Sequence, residues 1–268
     1  MLSLCREIGM PQEITDKLAL TDTALMVQYV ETLLSAETTE EVTKINDLLG
    51  DDPGGIKMLA LQLTAALRTR EIYAQKGIDD RIFISTAKSY TRYVNEHLVE
   101  FGHYGFDRYW WTWRIIPLKL FRLGVLEFEP EFKNGKDILS VHIPSDAVMT
   151  REGLDTSYKW AVKFFNDHFN DYKYEGIYCE TWLLNPVIRD MLPEGSKILN
   201  FMADYKILST DPESQDFMTL IFKRKYPDTA SLPEDTSLQR AVKKHLLAGG
   251  KVGNGLGRYR HSIVLTKN

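Results

Sequence analysis

Apolar side chains recur at intervals of three and four residues over most of the chain between Met10 and Phe101. That interval is the period of an amphipathic α-helix. Thr38 and Glu41 have the spacing of a capping box, which marks the start of a helix. Because the connections between the periodic segments are short, the pattern predicts an antiparallel helical bundle. The predicted helices are 10–20, 22–36, 38–49, 53–75 and 80–101.

After Leu120 the pattern changes to runs typical of strands, with one further amphipathic helix among them. Gly124 stands inside the first predicted strand, which indicates a bulge or a close approach of another part of the chain. Asp155 is the expected N-cap of the helix. The predicted order is strand, strand, helix and strand, at 121–129, 138–143, 156–169 and 176–182.

The remaining residues predict a short helix over 186–192 and a hairpin whose strands are 198–209 and 217–224. The glycine-rich tail at 249–258 follows a helical pattern and does not join a strand to a helix, so we expect a flexible closing segment there. The predicted fold class is therefore α/β of the α+β type, with a helical N-terminal bundle followed by a mixed β-sheet flanked by helices. In such sheets, ligands bind where strands diverge.

Composition narrows the class of protein. The 268 residues are 44% apolar, which suffices for a buried core, and the net charge of −4 without a basic stripe argues against nucleic acid as a partner. The N-terminus lacks the pattern of a signal peptide, and no apolar run is long enough to cross a membrane. Cys5 and Cys179 are too isolated for a disulfide framework or a metal site. We predict a cytoplasmic protein that uses no metal and contacts no membrane.

Five segments carry a family likeness: 104–113 (YGFDRYWWTW), 120–129 (LFRLGVLEFE), 141–144 (VHIP), 179–186 (CETWLLNP) and 232–240 (LPEDTSLQR). Together they resemble a bacterial family of proteins described as acyltransferases, in which a helical N-terminal domain precedes a GNAT-like C-terminal domain. The likeness spans nearly the whole chain. It implies a helical domain over 1–118 and a GNAT-like acyltransferase domain over 119–268.

The resemblance also implies where acyl-CoA binds. The strand at 138–143 and its splayed partner at 176–182 would hold the pantetheine arm between them. The pyrophosphate would lie at the start of the following helix, where backbone N–H groups and the helix dipole favour an anion. The implied cofactor-binding residues are Ile143, Gly153, Thr156 and Asn185.

Two departures from the GNAT pattern favour an alternative. The loop at 145–155 has a single glycine and carries Asp146, Glu152 and Asp155, whereas the GNAT phosphate loop has spaced glycines after Arg or Gln. Leu192 stands where many GNAT enzymes have a tyrosine that protonates the departing thiolate. The alternative is a non-catalytic module on a degenerate GNAT fold that binds a ligand or a protein.

Acyl transfer to an amine needs a base for the ammonium proton and hydrogen-bond donors for the oxyanion. His142 and Glu180 are the candidate bases, because they lie on the two strands predicted to flank the gap, although a lone His or Glu on a strand is more often a structural hydrogen-bonding residue. Cys179 is a third candidate, as a nucleophile whose thiolate a base such as His142 would stabilise. The alternative for Cys179 is a core position in which it packs as a small apolar residue.

Aromatic and cationic residues supply the candidates for substrate binding. Trp110 and Trp111 predict either a wall of a substrate pocket or a packing seam between the domains. Arg122 would bind an anionic substrate group or form an ion pair with an acid such as Glu127. Trp182 is the fourth candidate.

The sequence thus predicts an N-acyltransferase that moves an acyl group from acyl-CoA, its co-substrate, to an amine of a small molecule or peptide. It leaves open the acyl chain, the acceptor, and the choice between a monomer and a homodimer.

Overall fold

The computed structural model describes residues 1–261, apart from the side chain of Leu25. The chain divides into two compact units between Arg122 and Leu123. The first unit is helical. Its α-helices are α1 (Leu2–Glu7), α2 (Gln12–Leu20), α3 (Val30–Leu34), α4 (Thr39–Leu48), α5 (Ile56–Gln75), α6 (Asp80–Phe101) and α7 (Tyr109–Thr112), and 3-10 helices span Ala24–Tyr29 and Trp113–Ile115.

Helix boundaries in the first unit follow local capping chemistry. Thr38 and Glu41 form the predicted capping box at the start of α4. Helix α6 begins after Asp79, whose carboxylate accepts a hydrogen bond from a backbone N–H of the first turn, and ends at Gly102 with a φ of +80°. Every predicted helix is present, but the second is divided, because residues 24–29 form a 3-10 helix before α3.

Side chains of α5 and α6 fill the core of the first unit. Tyr73 and Phe83 meet edge to face, with 5.5 Å between their ring centroids. The fully buried Gln62 amide donates a hydrogen bond to the Tyr109 carbonyl at 3.1 Å and accepts one from the Thr112 hydroxyl at 2.6 Å. Both hydrogen-bonding groups of this buried amide are therefore satisfied, and α7 is fixed against α5.

The second unit is built around a six-stranded mixed sheet with the strand order β1-β2-β3-β4-β6-β5. Strands β3 and β4 are parallel, whereas β3 is antiparallel to β2, and β6 is antiparallel to both β4 and β5. The predicted fold class is confirmed. The strands are β1 (Phe121–Leu123), β2 (Leu126–Lys133), β3 (Lys136–His142), β4 (Ile177–Thr181), β5 (Tyr205–Asp211) and β6 (Asn254–Tyr259). The helices are α8 (Arg151–His168), α9 (Pro186–Arg189), α10 (Lys197–Ala203), α11 (Asp216–Phe222) and α12 (Ser237–Leu247), with 3-10 helices at Trp182–Leu184 and Thr229–Ser231.

The predicted first strand is in fact two strands joined by a turn at Gly124 and Val125. Gly124 has a φ of +72°, and a Cβ atom there would lie 2.3 Å from the Ser157 hydroxyl of α8. That hydroxyl accepts a hydrogen bond from the Val125 N–H at 2.8 Å. Two features therefore require glycine at this position: the positive φ angle and the close approach of α8. A close approach was one of the two features that the sequence predicted here.

Helix α8 begins earlier than predicted. Its N-cap is Thr150, whose hydroxyl accepts a hydrogen bond from the Gly153 N–H, so the predicted N-cap Asp155 lies inside the helix. There, one Asp155 carboxylate oxygen is 2.6 Å from the Arg151 guanidinium. The buried side of α8 has the three- and four-residue spacing of an amphipathic helix. It consists of Leu154, Ser157, Tyr158, Ala161, Phe164 and Phe165.

The predicted hairpin is wrong. Residues 197–203 form α10 and residues 216–222 form α11, so that only β5 between them is a strand. A short apolar run fits a strand or a helix equally well, and the residues at its ends decide between them. Ser196 caps α10 by accepting a hydrogen bond from the Ile198 N–H.

The glycine-rich tail is also different from the prediction, because it forms β6 and lies between β4 and β5. Glycine allows other parts of the chain to approach this strand closely. A Cβ atom at Gly255 would lie 2.6 Å from the carbonyl carbon and oxygen of Leu184. One at Gly257 would lie 2.9 Å from the Leu184 side chain. Because Gly255 and Gly257 have no side chains, the 3-10 helix that follows β4 can pack directly against β6.

No helix within residues 1–261 combines the length and the apolar character that crossing a bilayer requires. The cytoplasmic location stays a prediction. Among the same residues, no group of three or more His, Cys, Asp or Glu side chains is placed to hold a metal ion.

Candidate functional site

The two faces of the sheet differ in chemistry. Alternate residues of a strand point to opposite faces, and the register places Glu127 beside His142 and Glu129 beside Ser140. We call their side of β2, β3 and β4 the polar face; its polar residues include Glu127, Glu129, Glu131, Lys133, Ser140, His142, Tyr178 and Glu180. The opposite, apolar face packs against α8, where the Tyr158 ring centroid lies 6.2 Å from that of Phe128.

Strands β3 and β4 diverge at their carboxyl ends. Their parallel register consists of two pairs, Leu139 with Ile177 and Ser140 with Tyr178. Beyond these pairs, β3 stays paired with β2 as far as residue 142, and β4 stays paired with β6 as far as residue 181. Each strand therefore follows its outer neighbour after the ladder between them has ended. The gap expected between these strands is present.

The backbone N–H of Ile143 lies at the mouth of this gap. Along a strand, N–H groups alternate between the two neighbouring strands, and the Leu139 N–H donates to the Gly176 carbonyl on the β4 side. Ile143 is four residues further on and directly follows β3, and the same alternation, continued by this one residue, directs its N–H to the β4 side. It has no hydrogen-bond partner among residues 1–261. An amide in this position can donate to an oxygen atom held between the strands.

His142 is oriented by a carboxylate on the neighbouring strand. Its Nε2 atom is 2.8 Å from Oε2 of Glu129, whose side chain is only 13% exposed. A carboxylate can only accept a hydrogen bond, so the neutral ring donates through Nε2, and Nδ1 is then the nitrogen without a hydrogen. Glu129 thus fixes both the orientation and the tautomer of the imidazole.

Glu180 lies on the other side of the gap, on the same face as His142. Its Oε2 atom is 2.5 Å from Nζ of Lys133, and the two side chains are 42% and 35% exposed. Partial burial opposes the charge on Lys133, but the hydrogen bond and the negative charge of Glu180 outweigh it and raise the pKa of Lys133. The contact therefore favours the charged form of Lys133, and it is accessible to solvent.

Sequence reasoning missed the row of carboxylates on β2. Glu127, Glu129 and Glu131 alternate with apolar residues, and Glu127 is only 2% exposed. The Glu131 carboxylate accepts a hydrogen bond of 2.5 Å from the Ser140 hydroxyl of β3. The signal was present in the sequence, because a glutamate at every second position of a strand places all of them on one face.

Cys179 is not placed as a nucleophile. It lies on the apolar face, opposite to His142 and Glu180, and is only 2% exposed. Burial raises the pKa of its thiol, and the nearby charge of Glu180 adds to the effect. A buried neutral thiol without a base is inert, so the packing role is the one that the structure supports.

We expect neither cysteine to react with iodoacetamide in the folded protein at neutral pH. Cys5 and Cys179 are both buried, and burial raises the pKa of each thiol. Mass spectrometry of the treated native protein should show no added group, whereas a sample unfolded in guanidinium should add one to each cysteine. Rapid labelling of Cys179 alone would restore it as a candidate nucleophile.

The start of α8 differs from the predicted phosphate site. Thr156 lies in the second turn of the helix and is exposed, so it is not at the N-terminus. The first turn instead contains Arg151, Glu152 and Gly153. The Gly153 N–H is used by the N-cap, whereas the N–H groups of Arg151 and Glu152 have no partner within residues 1–261. The Arg151 guanidinium is held by Asp204 at 2.8 Å.

Asn185 has a structural role in place of the predicted cofactor contact. Its side-chain oxygen caps α9 by accepting a hydrogen bond from the Val187 N–H at 3.0 Å. Its side-chain nitrogen donates to the Val252 carbonyl. The residue is 3% exposed, and each of its two polar side-chain atoms has a partner within the fold.

The four candidate substrate-binding residues lie in three places. Trp110 and Trp111 lie in α7 with 6.1 Å between their ring centroids, and Trp110 is 43% exposed. Arg122 lies in β1, where its backbone N–H donates to the Thr86 hydroxyl at 2.9 Å. Trp182 follows the carboxyl end of β4, where the gap opens. The substrate contacts of these four residues stay predictions.

Two family models match the chain. The N-acyltransferase N-terminal domain matches residues 1–118, and the GNAT-like C-terminal domain matches residues 120–259. The chain belongs to the N-acyltransferase family with a GNAT-like C-terminal domain. The family predicted from the five sequence segments, and with it the transferase class, is confirmed. A comparison with curated protein sequences finds no match.

Solved acyltransferase structures have the same fold as this N-acyltransferase. One, in complex with decanoyl-CoA and teicoplanin, is 23% identical with a TM-score of 0.80, over 96% of this chain and 87% of that chain. Another, in complex with CoA and 10C-teicoplanin, is 23% identical with a TM-score of 0.81, over 96% and 86%. A third, a mutant in complex with octanoyl-CoA, is 21% identical with a TM-score of 0.83, over 97% and 87%. These likenesses extend the shared fold over nearly the whole N-acyltransferase chain.

Proposed function

We propose that this N-acyltransferase moves an acyl group from acyl-CoA to a primary amine of a small molecule or peptide. The observation that carries the proposal is the gap between β3 and β4, with the Ile143 N–H at its mouth and His142 on its polar side. The similar structures support it, because they were solved with decanoyl-CoA, octanoyl-CoA or CoA, and two of them with teicoplanin or 10C-teicoplanin.

The acyl-CoA thioester lies in the gap in this proposal. Its carbonyl oxygen accepts a hydrogen bond from the Ile143 N–H, and that bond strengthens as the oxygen becomes an oxyanion. The pyrophosphate binds at the first turn of α8, to the N–H groups of Arg151 and Glu152. Asp155 repels it less than the sequence suggests, because the Arg151 guanidinium, which Asp155 shares with Asp204, offsets part of its charge.

The acceptor amine enters from the polar face. His142 removes its ammonium proton through Nδ1, directly or through a water molecule, while Glu129 stabilises the resulting imidazolium. The neutral amine then attacks the thioester carbonyl, and the positively charged nitrogen of the tetrahedral intermediate gives its extra proton to water. The C–S bond breaks, and the amide and the CoA thiolate are formed. Because position 192 is leucine, the imidazolium of His142 or water supplies the proton that the thiolate takes up.

The donor can be tested by the thermal stability of the protein in a series of acyl-CoAs. A ligand present at a hundred times its Kd stabilises the folded state by about 2.7 kcal/mol, which corresponds to a rise in melting temperature of about 5 °C for a chain of this size. We expect the rise to depend on acyl chain length and to exceed that given by CoA alone, with free octanoate as the control. If no acyl-CoA produces a shift at about millimolar concentration, the donor site is wrong, and the non-catalytic alternative would replace it.

A further inference from the structure

We propose that Lys133 occupies, in the ligand-free protein, the site at which Glu180 binds the ammonium group of the acceptor. This inference rests on the proposed function, in which the acceptor is a primary amine. It names the group that recognises the acceptor and the chemical form in which the acceptor binds.

The contact between Lys133 and Glu180 has the chemistry that an acceptor would need. An alkylammonium nitrogen donates directly to a carboxylate oxygen, which is a charge-assisted hydrogen bond. Glu180 belongs to β4, beside the gap and on the same face as His142. An ammonium group held by Glu180 is therefore on the side of the sheet from which His142 can remove a proton.

Lys133 reaches this place from a distance. Its register partner is Lys136, at the opposite end of β3 from His142, and β3 lies between Lys133 and the strand that carries Glu180. The side chain must therefore extend across β3 to make the contact. An ion pair between such partly exposed side chains contributes little to stability, because solvent screens it and the long side chain loses rotational freedom.

The released Lys133 ammonium retains a nearby counter-charge. Glu131, two residues away on the same face, also contributes to raising the pKa of Lys133. When an acceptor takes the place of Lys133 on Glu180, the lysine can turn toward Glu131, so no charge is left isolated. The exchange replaces one ammonium by another and changes the net charge of the site only by that of the incoming acceptor.

This arrangement restricts the class of acceptor. A carboxylate selects a compact, protonated primary amine that can donate hydrogen bonds, over an alcohol or a quaternary ammonium. The acceptor binds as the ammonium ion, and His142 then removes the proton. Its apparent affinity includes the displacement of Lys133.

Carbon-13 NMR of the reductively methylated protein tests the displacement without a known acceptor. Dimethylated lysines keep their charge, and the Lys133 signal is assigned by its absence in Lys133→Arg. We expect ethylammonium chloride to shift this signal saturably, tetramethylammonium chloride at equal concentration to leave it in place, and Glu180→Gln to abolish the response. A Lys133 signal that neither salt moves, or that both move equally, overturns the inference.

A kinetic test uses octanoyl-CoA and ethylamine, with release of the CoA thiol as the readout. We expect Lys133→Met to lower KM for ethylamine about two- to fivefold, with kcat unchanged, in keeping with the small strength of an exposed ion pair. The matched control is Lys136→Met, because Lys136 pairs with Glu175, away from the gap. A rise in KM in Lys133→Met would mean that the lysine supports acceptor binding and would overturn the inference. A failure of the proposed function can be told apart from a failure of this inference. If the proposed function is wrong, octanoyl-CoA does not raise the melting temperature of the wild-type protein.

Discussion

Replacing His142 by glutamine should lower kcat for acyl transfer by about a hundred- to ten-thousandfold, the usual contribution of a general base. The KM for octanoyl-CoA should stay close to that of the wild-type protein, because the donor contacts in the gap are made by backbone groups. Glutamine preserves a polar side chain of similar length but cannot take a proton at neutral pH. The loss would therefore report proton transfer and not the packing of the polar face.

Two further variants sharpen this test. In Glu129→Gln the amide can donate to Nε2 of the imidazole, which favours the wrong tautomer, so kcat should fall while the fold is retained. His168→Gln, at the end of α8, is the matched control and should leave kcat unchanged. Turnover by His142→Gln within a factor of about three of wild type would exclude His142 as the base. Glu180 would then be the next candidate.

Replacing Gly255 by alanine should destabilise the second unit by about 1 to 3 kcal/mol, the usual cost of overpacking a core. The added Cβ would lie 2.6 Å from the carbonyl carbon and oxygen of Leu184 and 2.9 Å from the Asn185 nitrogen. All three are backbone atoms, so they cannot move away by a change of rotamer. Either β6 or the 3-10 helix after β4 must shift, and both are tied into the sheet.

Urea denaturation measures this cost as a lower midpoint with an unchanged slope. Gly176→Ala is the matched control in the same unit. Its added Cβ would lie 3.0 Å from the end of the Arg258 side chain, which can turn away, so a change within about 0.5 kcal/mol is expected. Equal stability of Gly255→Ala and the wild-type protein would show that β6 does not approach Leu184 this closely.

Long periodic segments of the chain could be predicted from sequence, and short ones could not. The 20-residue α5 and the 22-residue α6 have enough turns for the helical period to be unambiguous. Residues 198–203 and 217–222 are single short apolar runs, which suit a strand or a helix equally. Strand β6 contains two glycines and no β-branched residue, so its propensity argues against a strand. Pairing with β4 and β5 overrides that propensity.

Some of the site residues could be placed correctly from the sequence, and others could not. The predicted strands and the GNAT resemblance together placed His142 and Glu180 beside one gap, and in the structure they lie on the two strands that diverge. Strand alternation should have separated Cys179 from Glu180, because consecutive residues of a strand face opposite sides. The error at Thr156 came from choosing Asp155 as the N-cap, whereas the helix is capped by Thr150, five residues earlier.

The contact between Lys133 and Glu180 was beyond sequence reasoning. It joins β2 to β4 across β3, so it depends on the strand order of the sheet and on two extended side chains. Neither residue stands in a motif that links it to the other. Contacts of this kind become visible only when the strand order is known.

The position of β6 has a consequence for the biosynthesis of the protein. Strands β4 and β5 leave the ribosome before the strand that joins them, since β6 lies between them in the sheet but follows both in the chain. Until residues 254–259 emerge, each of the two earlier strands exposes an edge of unpaired backbone groups, which can adhere to other chains. The helical first unit has no such delay and can fold while translation continues. A nascent chain stalled before Asn254 would therefore carry a folded helical unit and an incomplete sheet with unpaired strand edges. Chaperones would have to protect those edges from aggregation.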